Sequence, residues 1–356
     1  MTLQSKKLLV VCFAVLAMIL VASVAFSEST SKGSTDSLPI ENKNIASLPK
    51  IKVGGDLPNF DTVPLILAYE KGYFQDQGIQ IELVQVQNSY APAAIVGGKA
   101  NIIIIGASRL YSLIEKGAPI KILAPMSNSA WELFVRPDSG INTFKDLEGK
   151  TVSYGNTGGT KELLLRYILT KENVNITKIN FIDIDSQYLH IALMKQKTID
   201  ATLFQGAGYL DVAKKLGAIV LPEWQEKNYK KYPTSMTITI NTDFLNKNEE
   251  NVRRFFKALI EANRFLKEHL DESAVSMTDY LRKNTENAID LKPEEFKNLV
   301  NEGKIAYSLW EDTTLNVEMA RIGYELGKTE QLLTIDKLYD LRFRSLLEQA
   351  QKEIYE

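Results

Sequence analysis

The sequence predicts an α/β fold with a helical C-terminal part. From Pro49 onward, segments with the alternating apolar pattern of strands are separated by segments with helical spacing. The run Ile102–Ile105 is apolar throughout, as expected of a strand that is covered on both faces of its sheet. After Asn248 the strand pattern ends, and apolar residues recur at helical spacing. Alternating elements of this kind predict a mainly parallel sheet.

The first module has the pattern of a strand, a helix and a second strand. Ile51–Gly55 predicts a strand that ends in glycines, and Leu65–Tyr69 supplies the apolar side chains of a helix. Gly72 can end that helix in a left-handed cap. After Gly78, the residues Ile79–Leu83 alternate between apolar and polar, which is typical of a half-buried strand. This unit has the length of a βαβ module.

The same reasoning gives the remaining elements in chain order. Strands are predicted at 51–54, 79–86, 101–105, 120–125, 132–136, 151–154, 179–183, 200–204, 218–220 and 235–240. Helices are predicted at 62–71, 90–97, 108–116, 160–171, 187–195 and 208–216, and later near 274–283, 293–303, 315–326 and 336–354. In the helical run after Asn248, Phe255 and Phe256 predict packing in the core rather than a surface for a partner helix.

The N-terminus has the pattern of an export signal. Lys6 and Lys7 precede an apolar run, and Ser23-Val24-Ala25 supplies the small residues that a signal peptidase prefers. We therefore expect residues 1–25 to be a signal peptide. The alternative is an uncleaved membrane anchor, because Leu8–Phe26 is long enough to span a bilayer. In both cases the body would lie outside the cytoplasm. Residues 26–49 are rich in polar residues and predict a disordered leader.

Composition excludes several classes of function. The 356 residues include 45% hydrophobic and 24% charged residues, a globular balance that is sufficient for two lobes. The net charge of −2 gives no excess of basic residues of the kind that binds nucleic acid. The single cysteine, Cys12, lies in the N-terminal apolar stretch, so no disulfide is expected in the folded part. The chain has no metalloprotease helix or nucleophile-elbow motif, and we predict no catalytic residue, metal or cofactor. Of the two histidines, His190 is predicted to be structural and His269 to be at the surface.

Several motifs occur in an order that is typical of one protein family. They are Glu70–Phe74, Gly78–Leu83, Ala94–Gly106, Arg136–Val152 and Ala192–Ala201. Together they resemble the bacterial extracellular solute-binding proteins of the nitrate/sulfonate/taurine type, which serve ABC importers and share a fold with thiamine-pyrimidine-binding proteins. The resemblance covers about residues 50–245 well. It departs from the family pattern at Asn101, where aspartate is usual, and at Lys197, where glycine is usual; both are turn positions.

The resemblance implies a two-lobed fold of the type II periplasmic-binding-protein class, with two Rossmann-like lobes joined by two crossings. Lobe 1 would comprise residues 50–134 and the return at 236–356, which includes the C-terminal helices. Lobe 2 would comprise residues 135–235. The implied partners are a small-molecule ligand and an ABC permease, with the protein itself a monomer. In open α/β sheets ligands bind outside the carboxyl ends of the strands, so the loops there form the candidate site.

The strongest candidate within these loops is a glycine-containing segment that follows the predicted strand at 151–154. Its candidate ligand contacts are Tyr154, Asn156, Thr157, Gly158, Gly159 and Thr160. Glycines allow close approach of the main chain to a ligand, and the first N–H groups of the following helix can bind an anionic oxygen. The alternative is a plain capped turn, because asparagine and threonine are common N-caps. The spacing does not match a phosphate-binding P-loop.

Two further loops supply candidates on either side of the predicted cleft. Trp131 can stack on a ligand and Glu132 can accept from a donor, the alternative being a buried tryptophan beside a solvated glutamate. Ser108 can donate to an anion and Arg109 can bind one bidentately, or the two can be a helix cap and a surface charge.

Weaker candidates complete the predicted site. They are Asp61, Thr62, Tyr188, Phe204 and Gln205. Asp61 or Thr62 is also a candidate cap for the helix that follows.

We therefore expect an extracytoplasmic binding protein that closes on a small polar or anionic solute. The solute classes are a sulfonate, nitrate, an amino-acid-like or a pyrimidine-like molecule, and we expect an acidic oxygen group held mainly by neutral donors. Two other classes stay open. One is an enzyme on the same fold, of the thiamine-pyrimidine or menaquinone type, and the other is a secreted sensory module that signals to a membrane receptor.

Overall fold

Two β-sheets organise the described part of the chain. The computed structural model describes residues 47–57, 59–129, 131–155, 157–184, 187–205, 217–227, 234–284, 291–301, 306–307, 309 and 313–355. The predicted signal peptide, the membrane-anchor alternative, most of the predicted leader and the predicted helix at 208–216 lie outside these residues. No described helix is long and apolar enough to cross a membrane.

The first sheet, with its helices, forms lobe 1. Its 6 strands are ordered β11-β4-β10-β3-β1-β2. The strands are β1 Lys50–Gly55, β2 Gln80–Gln85, β3 Ile102–Gly106, β4 Ile120–Ser129, β10 Thr234–Asn241 and β11 Ala306–Tyr307. The helices before the first crossing are α1 Val63–Glu70, α2 Tyr73–Asp76, α3 Ala91–Val96 and α4 Tyr111–Glu115.

The second sheet forms lobe 2. Its 5 strands are ordered β7-β6-β8-β5-β9. The strands are β5 Trp131–Val135, β6 Thr151–Ser153, β7 Asn180–Ile182, β8 Ala201–Gln205 and β9 Ile219–Val220, and the helices are α5 Thr160–Lys171, α6 Gln187–Lys195 and α7 Pro222–Glu226. After the chain returns to lobe 1, it forms α8 Thr242–Lys247, α9 Glu249–Glu268, α10 Leu270–Asn284, α11 Pro293–Asn301, α12 Thr314–Glu325, α13 Ile335–Leu338 and α14 Arg344–Tyr355.

Both sheets are mixed, whereas the sequence predicted mainly parallel pairing. Strands β1, β2 and β3 are parallel to one another, and so are β6, β7 and β8. Antiparallel pairing involves β10, which lies between β3 and β4, β5, which lies between β8 and β9, and β11, which pairs with β4. Strands β10 and β5 each begin at the edge of their sheet where the parallel strands end. They therefore run antiparallel to those strands.

The chain passes between the two sheets after β4 and again before β10. Trp131–Val135 pairs wholly within the second sheet, although lobe 1 was predicted to extend to residue 134. Thr234–Asn241 pairs within the first sheet, so Ser235 belongs to the return strand. At the start of the fold, Pro49 accepts a hydrogen bond from the N–H of Gln80 and so joins the first sheet.

Packing of the first lobe agrees with the predicted core. Ile102–Ile105 is almost wholly buried, and its side chains alternate between two hydrophobic clusters on opposite faces of the sheet. Phe255 of α9 stacks on Phe74 with ring centroids 5.5 Å apart, and Phe256 is also buried. The late helical run is therefore core packing, as predicted.

One predicted helix is interrupted. The segment 336–354 forms the end of α13 and then α14, because Tyr339 leaves the helix and forms a β-bridge with Ile122 of the first sheet. Asp340 continues this contact, since its N–H donates to the carbonyl of Ile122. The tertiary pairing thus overrides a locally helical pattern.

The two departures from the family pattern have local explanations. The Asn101 side chain accepts a hydrogen bond from the N–H of Lys52 at 2.9 Å, an acceptor role that aspartate also fills. Lys197 has a φ of 60°, in the left-handed region that glycine adopts without a Cβ penalty. Its ammonium forms an ion pair with Asp138 at 2.5 Å.

Candidate functional site

The carboxyl ends of the parallel strands in both sheets face the crossings. In the first sheet, Gly106 at the end of β3 pairs with Met236 near the start of β10. In the second sheet, Gln205 at the end of β8 pairs with Trp131 at the start of β5. The carboxyl ends of β3, β6 and β8 therefore lie at the edges where the chain passes between lobes. Ligands bind at such edges in open α/β sheets.

Residues from the two lobes touch at this edge. Ser108, in a 3-10 turn after β3, has its Oγ 2.9 Å from Oγ1 of Thr160, the first residue of α5. Gly106 allows this approach, because a Cβ there would lie 2.8 Å from the same Thr160 oxygen. The structure thus brings together two candidate residues that are 52 positions apart in sequence.

The glycine-containing segment before α5 is held by carboxylates of its own lobe. Asp183, which follows β7, accepts from both the N–H and the hydroxyl of Thr157, at 2.7 and 2.5 Å. Glu162 accepts from the N–H of Gly158 at 2.7 Å. The segment is therefore a turn tied to its own lobe, and the N-cap residue of α5 is Gly159 rather than the asparagine or threonine of the alternative interpretation. Ligand contact by this segment stays a prediction, and Asn156 lies outside the described residues.

Glu162 is the anchor of this turn. Its side chain is 4% exposed and also accepts from Nε of Arg166 at 2.8 Å. Burial opposes ionisation, but the hydrogen bonds from Gly158 and Arg166 outweigh it and lower the pKa of Glu162. Tyr154 is likewise a packing residue here, because it is buried with its ring 5.9 Å from that of Phe181.

Lys161 follows Thr160 in the glycine-containing segment and was not among the predicted ligand contacts. Its ammonium lies 4.7 Å from the centroid of the Trp131 ring, a cation–π contact between the start of α5 and the start of β5. Gly155 provides room for this side chain, because a Cβ there would lie 3.4 Å from Lys161 Cδ and 3.6 Å from Nζ. The Trp131 main chain is fixed by a hydrogen bond from the indole N–H of Trp224 to its carbonyl. The edge therefore carries a cation, in addition to the neutral donors that the sequence predicted.

His190 is a structural histidine, as predicted. It is 1% exposed, with Nδ1 2.7 Å from the Ser153 hydroxyl and Nε2 2.8 Å from the Ile184 carbonyl. A carbonyl can only accept, so Nε2 carries the proton and Nδ1 accepts from the hydroxyl. Burial, and after it the nearby charge of Lys161, lower the pKa of His190 to about 4.

The pair Phe204 and Glu132 lies on one face of the second sheet. The two residues are directly opposite in the register of β5 and β8. Phe204 has no exposed surface and packs on Phe134 and His190, so it is a core residue of lobe 2 rather than a wall of the cleft. Glu132 is 7% exposed and is engaged by a partner, which differs from the solvated glutamate of the alternative interpretation.

The loop after β1 supplies a buried carboxylate to the edge of lobe 1. Asp61 is 7% exposed and accepts from the hydroxyl of Ser127, near the end of β4, at 2.8 Å. Burial raises the pKa of Tyr307, and the charge of Asp61 adds to this effect. Asn59 caps the 3-10 turn 60–62: its side chain accepts from the Asp61 N–H, and Thr62 closes the capping box. Thr62, one of the two predicted caps, is the N-cap residue of α1, although its side chain makes no capping hydrogen bond to that helix.

The structure gives less detail for three of the candidate site residues. Arg109 is half-buried in the 3-10 turn beside Ser108 and has an interacting partner. Tyr188 lies in α6 and Gln205 at the end of β8, and their side chains are outside the described part of the structure. Among the described residues, no group of three or more histidine, cysteine, aspartate or glutamate side chains is placed to hold a metal ion.

A pocket lies at the opposite edge of lobe 2. It is lined by Arg136, Ile191, Met194 and Lys197 among others. Arg136 follows the end of β5, and Lys197 precedes the start of β8. This pocket is therefore separate from the candidate site.

Known proteins share both the sequence pattern and the fold. The family model described as NMT1/THI5 like matches residues 59–273. The putative binding protein YtlA of Bacillus subtilis is 24% identical over 280 residues, which are 77% of this chain and 81% of YtlA. The 4-amino-5-hydroxymethyl-2-methylpyrimidine phosphate synthase THI11 of Saccharomyces cerevisiae is 24% identical over 217 residues, which are 57% of this chain and 63% of the synthase.

A solved structure extends the comparison to the fold. The periplasmic aliphatic sulphonate binding protein SsuA from Escherichia coli superposes with a TM-score of 0.64 at 15% identity, covering 83% of this chain and 92% of SsuA. This likeness shows the two-lobed α/β fold of periplasmic binding proteins. Because the family model covers more than half of the chain, this protein belongs to the NMT1/THI5-like family, in agreement with its resemblance to the nitrate/sulfonate/taurine binding proteins.

Proposed function

We propose that this protein is the extracytoplasmic substrate-binding component of an ABC importer. It binds a small polar or anionic solute between its lobes, of the sulfonate, nitrate, amino-acid-like or pyrimidine-like class, and delivers it to a membrane permease. The observation that carries the proposal is the meeting of the two lobes at Ser108 and Thr160, beside Trp131 and Lys161. Polar donors, an aromatic face and a cation converge there from elements of both lobes.

The charges at this edge support an anionic group on the solute. The carboxylates of Asp183 and Glu162 already hold the N–H groups of Thr157 and Gly158. We therefore assign the main electrostatic attraction to the Lys161 ammonium rather than to these two amides. Asp61 and Glu132 are buried acidic side chains of lobes 1 and 2. A solute with a donor or a positive charge at its other end fits this distribution.

Binding without turnover distinguishes the proposal from the enzyme alternative. His190 is buried with both ring nitrogens engaged, which argues against its use as a general base. The relatives include a putative binding protein and a synthase, so the binding-protein and enzyme hypotheses both need an experimental test. Thermal-shift screening of sulfonates, nitrate, amino acids and pyrimidines should identify a class that raises the melting temperature. The same solute should be recovered unchanged by NMR after incubation; its conversion would instead support an enzyme.

A pair of matched variants tests the role of Lys161. Lys161→Met should fold and weaken the anionic hits by about tenfold or more, because a charge-assisted contact contributes about 1.5–3 kcal/mol. Lys171→Met is the control, since it removes an ammonium over the Tyr167 ring at the other end of the same helix. Equal calorimetric affinities for the two variants would remove Lys161 from the site.

Export is an expectation of the transport role and is tested separately. We expect the full chain, expressed in a bacterium, to appear outside the inner membrane with a new N-terminus near Phe26. A soluble cytosolic species that retains Met1 would contradict this. Binding a solute without interacting with any permease, while engaging a membrane receptor, would favour the sensory alternative.

A further inference from the structure

We propose that α12 (Thr314–Glu325) is a clamp that remains attached to lobe 1 and closes on α5 of lobe 2. The fit between these two helices then sets how far the cleft is closed before any solute is bound. This rests on the proposed function only in that the lobes open and close about their crossings.

The attachment of α12 to lobe 1 is buried. The Tyr111 hydroxyl of α4 donates to the Asn316 carbonyl at 3.1 Å, and the Asn316 amide donates to the Tyr339 hydroxyl at 2.8 Å. Tyr339 in turn forms a bridge with Ile122 in the central part of β4. Tyr111, Asn316 and Tyr339 are each at most 6% exposed. Breaking these bonds would leave buried polar groups without partners, so α12 should move with lobe 1.

The polar contacts of α12 with lobe 2 are peripheral, although Ile322 and Tyr167 are buried in one hydrophobic cluster. Arg321 donates to the Tyr167 hydroxyl of α5 at 3.0 Å, and its side chain is 35% exposed. Lys328, just after α12, lies 3.7 Å from Glu162, and the lysine side chain is 40% exposed. Water can replace each of these polar contacts, whereas the buried hydrogen bonds to lobe 1 would leave unpaired polar groups when broken. Opening also exposes apolar surface of the shared cluster, which favours the closed arrangement. The two sides of α12 therefore differ in how readily they separate.

Gly323 marks the point where the three elements meet. A Cβ on this glycine would lie 3.6 Å from Tyr111 Cδ2 in lobe 1 and 3.8 Å from Leu163 Cδ2 in lobe 2. Both are ordinary contact distances, so alanine fits and a longer side chain does not. The absence of a side chain larger than a methyl group at this position lets α12 lie between the lobes.

The clamp also reaches the turn at the candidate site. Lys328 approaches Glu162, the same carboxylate that accepts from the N–H of Gly158. Leu163 and Tyr167, four positions apart, are buried on the side of α5 that faces α12. Opening the lobes would expose these residues and free Glu162 from Lys328. Closure by α12 is thereby linked to the part of α5 that faces the cleft.

Spin-label distances in the ligand-free protein test the clamp. With Cys12 replaced by serine, cysteines introduced at the exposed Lys99 and Lys195 report the distance between lobes, and a pair at Lys99 and Tyr324 reports the distance from lobe 1 to α12. Gly323→Leu should move the interlobe distribution to longer distances and leave the second distribution unchanged. Gly323→Ala, the matched control, should keep both distributions as in the unmodified protein.

Each outcome decides the proposal. An unchanged interlobe distance in folded Gly323→Leu overturns the clamp, and so does an α12 label that moves away from lobe 1. If Gly323→Leu does not fold, the double variant Arg321→Gln with Tyr167→Phe removes the peripheral contact with little change in volume, and it should lengthen the same interlobe distance. Failure to find any bound solute would remove the proposed function without altering these distances.

Discussion

Protonation of His190 should make this protein measurably less stable in mild acid. Its folded pKa is lowered from 6.5 to about 4, because the charged imidazolium would be buried next to Lys161. Between these two pH values, His190 is therefore protonated in the unfolded state and neutral in the folded state. The contribution of neutral His190 to the free energy of unfolding is fully present above pH 6.5. It falls as the pH drops from 6.5 toward 4, and the loss levels off below that.

The magnitude follows from the two pKa values. At about 1.36 kcal/mol per pKa unit, the linkage relation gives a loss of about 2 kcal/mol in the free energy of unfolding between pH 8 and pH 5. Other groups titrate in this range, so the quantity to compare is a difference between variants. His190→Gln keeps a donor for the Ile184 carbonyl and removes the titration. Lys161→Met removes one cause of the lowered pKa.

Urea unfolding at a series of pH values measures this effect. The unmodified protein should lose about 2 kcal/mol more than His190→Gln between pH 8 and pH 5, and Lys161→Met should show an intermediate slope. NMR titration of the imidazole should show the His190 pKa rising in Lys161→Met. Parallel pH profiles for the unmodified protein and His190→Gln would refute the assignment of a buried, neutral histidine.

Three further substitutions test other parts of the structure. Gly106→Val should push Thr160 away from lobe 1, because even a Cβ there would lie 2.8 Å from its Oγ1, and small-angle scattering should show a larger radius of gyration. Asn59→Ala should lower the free energy of unfolding by about 1 kcal/mol in urea, since the loop loses its cap. Glu162→Ala should cost about 2–3 kcal/mol, because the N–H of Gly158 loses a buried acceptor, and hydrogen exchange at Gly158 should accelerate.

The sequence predicted those parts of the fold that depend on local pattern. The first βαβ module and the buried Ile102–Ile105 strand follow from side-chain periodicity, which a single sequence displays directly. The placement of β10 between β3 and β4 does not, because that pairing joins residues more than 100 positions apart. The break at Tyr339 has the same origin in a distant partner, Ile122.

The candidate site was predicted in its location more than in its chemistry. Ser108 and Thr160 are adjacent as expected of loops at one edge of the sheets, whereas Phe204 is in the core because β8 turns that side chain inward. Lys161 was missed because its role depends on the Trp131 ring, which is distant in sequence. The sequence did contain a signal for a second packing partner of α5. Between Leu163 and Leu169 this helix carries apolar residues on nearly every side, which indicates packing on both its own sheet and a second element.

The position of β10 has a consequence for the order in which the lobes fold. Lobe 2 draws all 5 of its described strands from one continuous stretch, 131–220, and can pair them as soon as that stretch is available. Lobe 1 cannot join β3 to β4 until Thr234–Asn241 inserts between them. A chain that ends before Thr234 should therefore hold an assembled second sheet and a divided first one. Because such long-range pairing is slow, completion of lobe 1 should limit the folding rate of the whole protein.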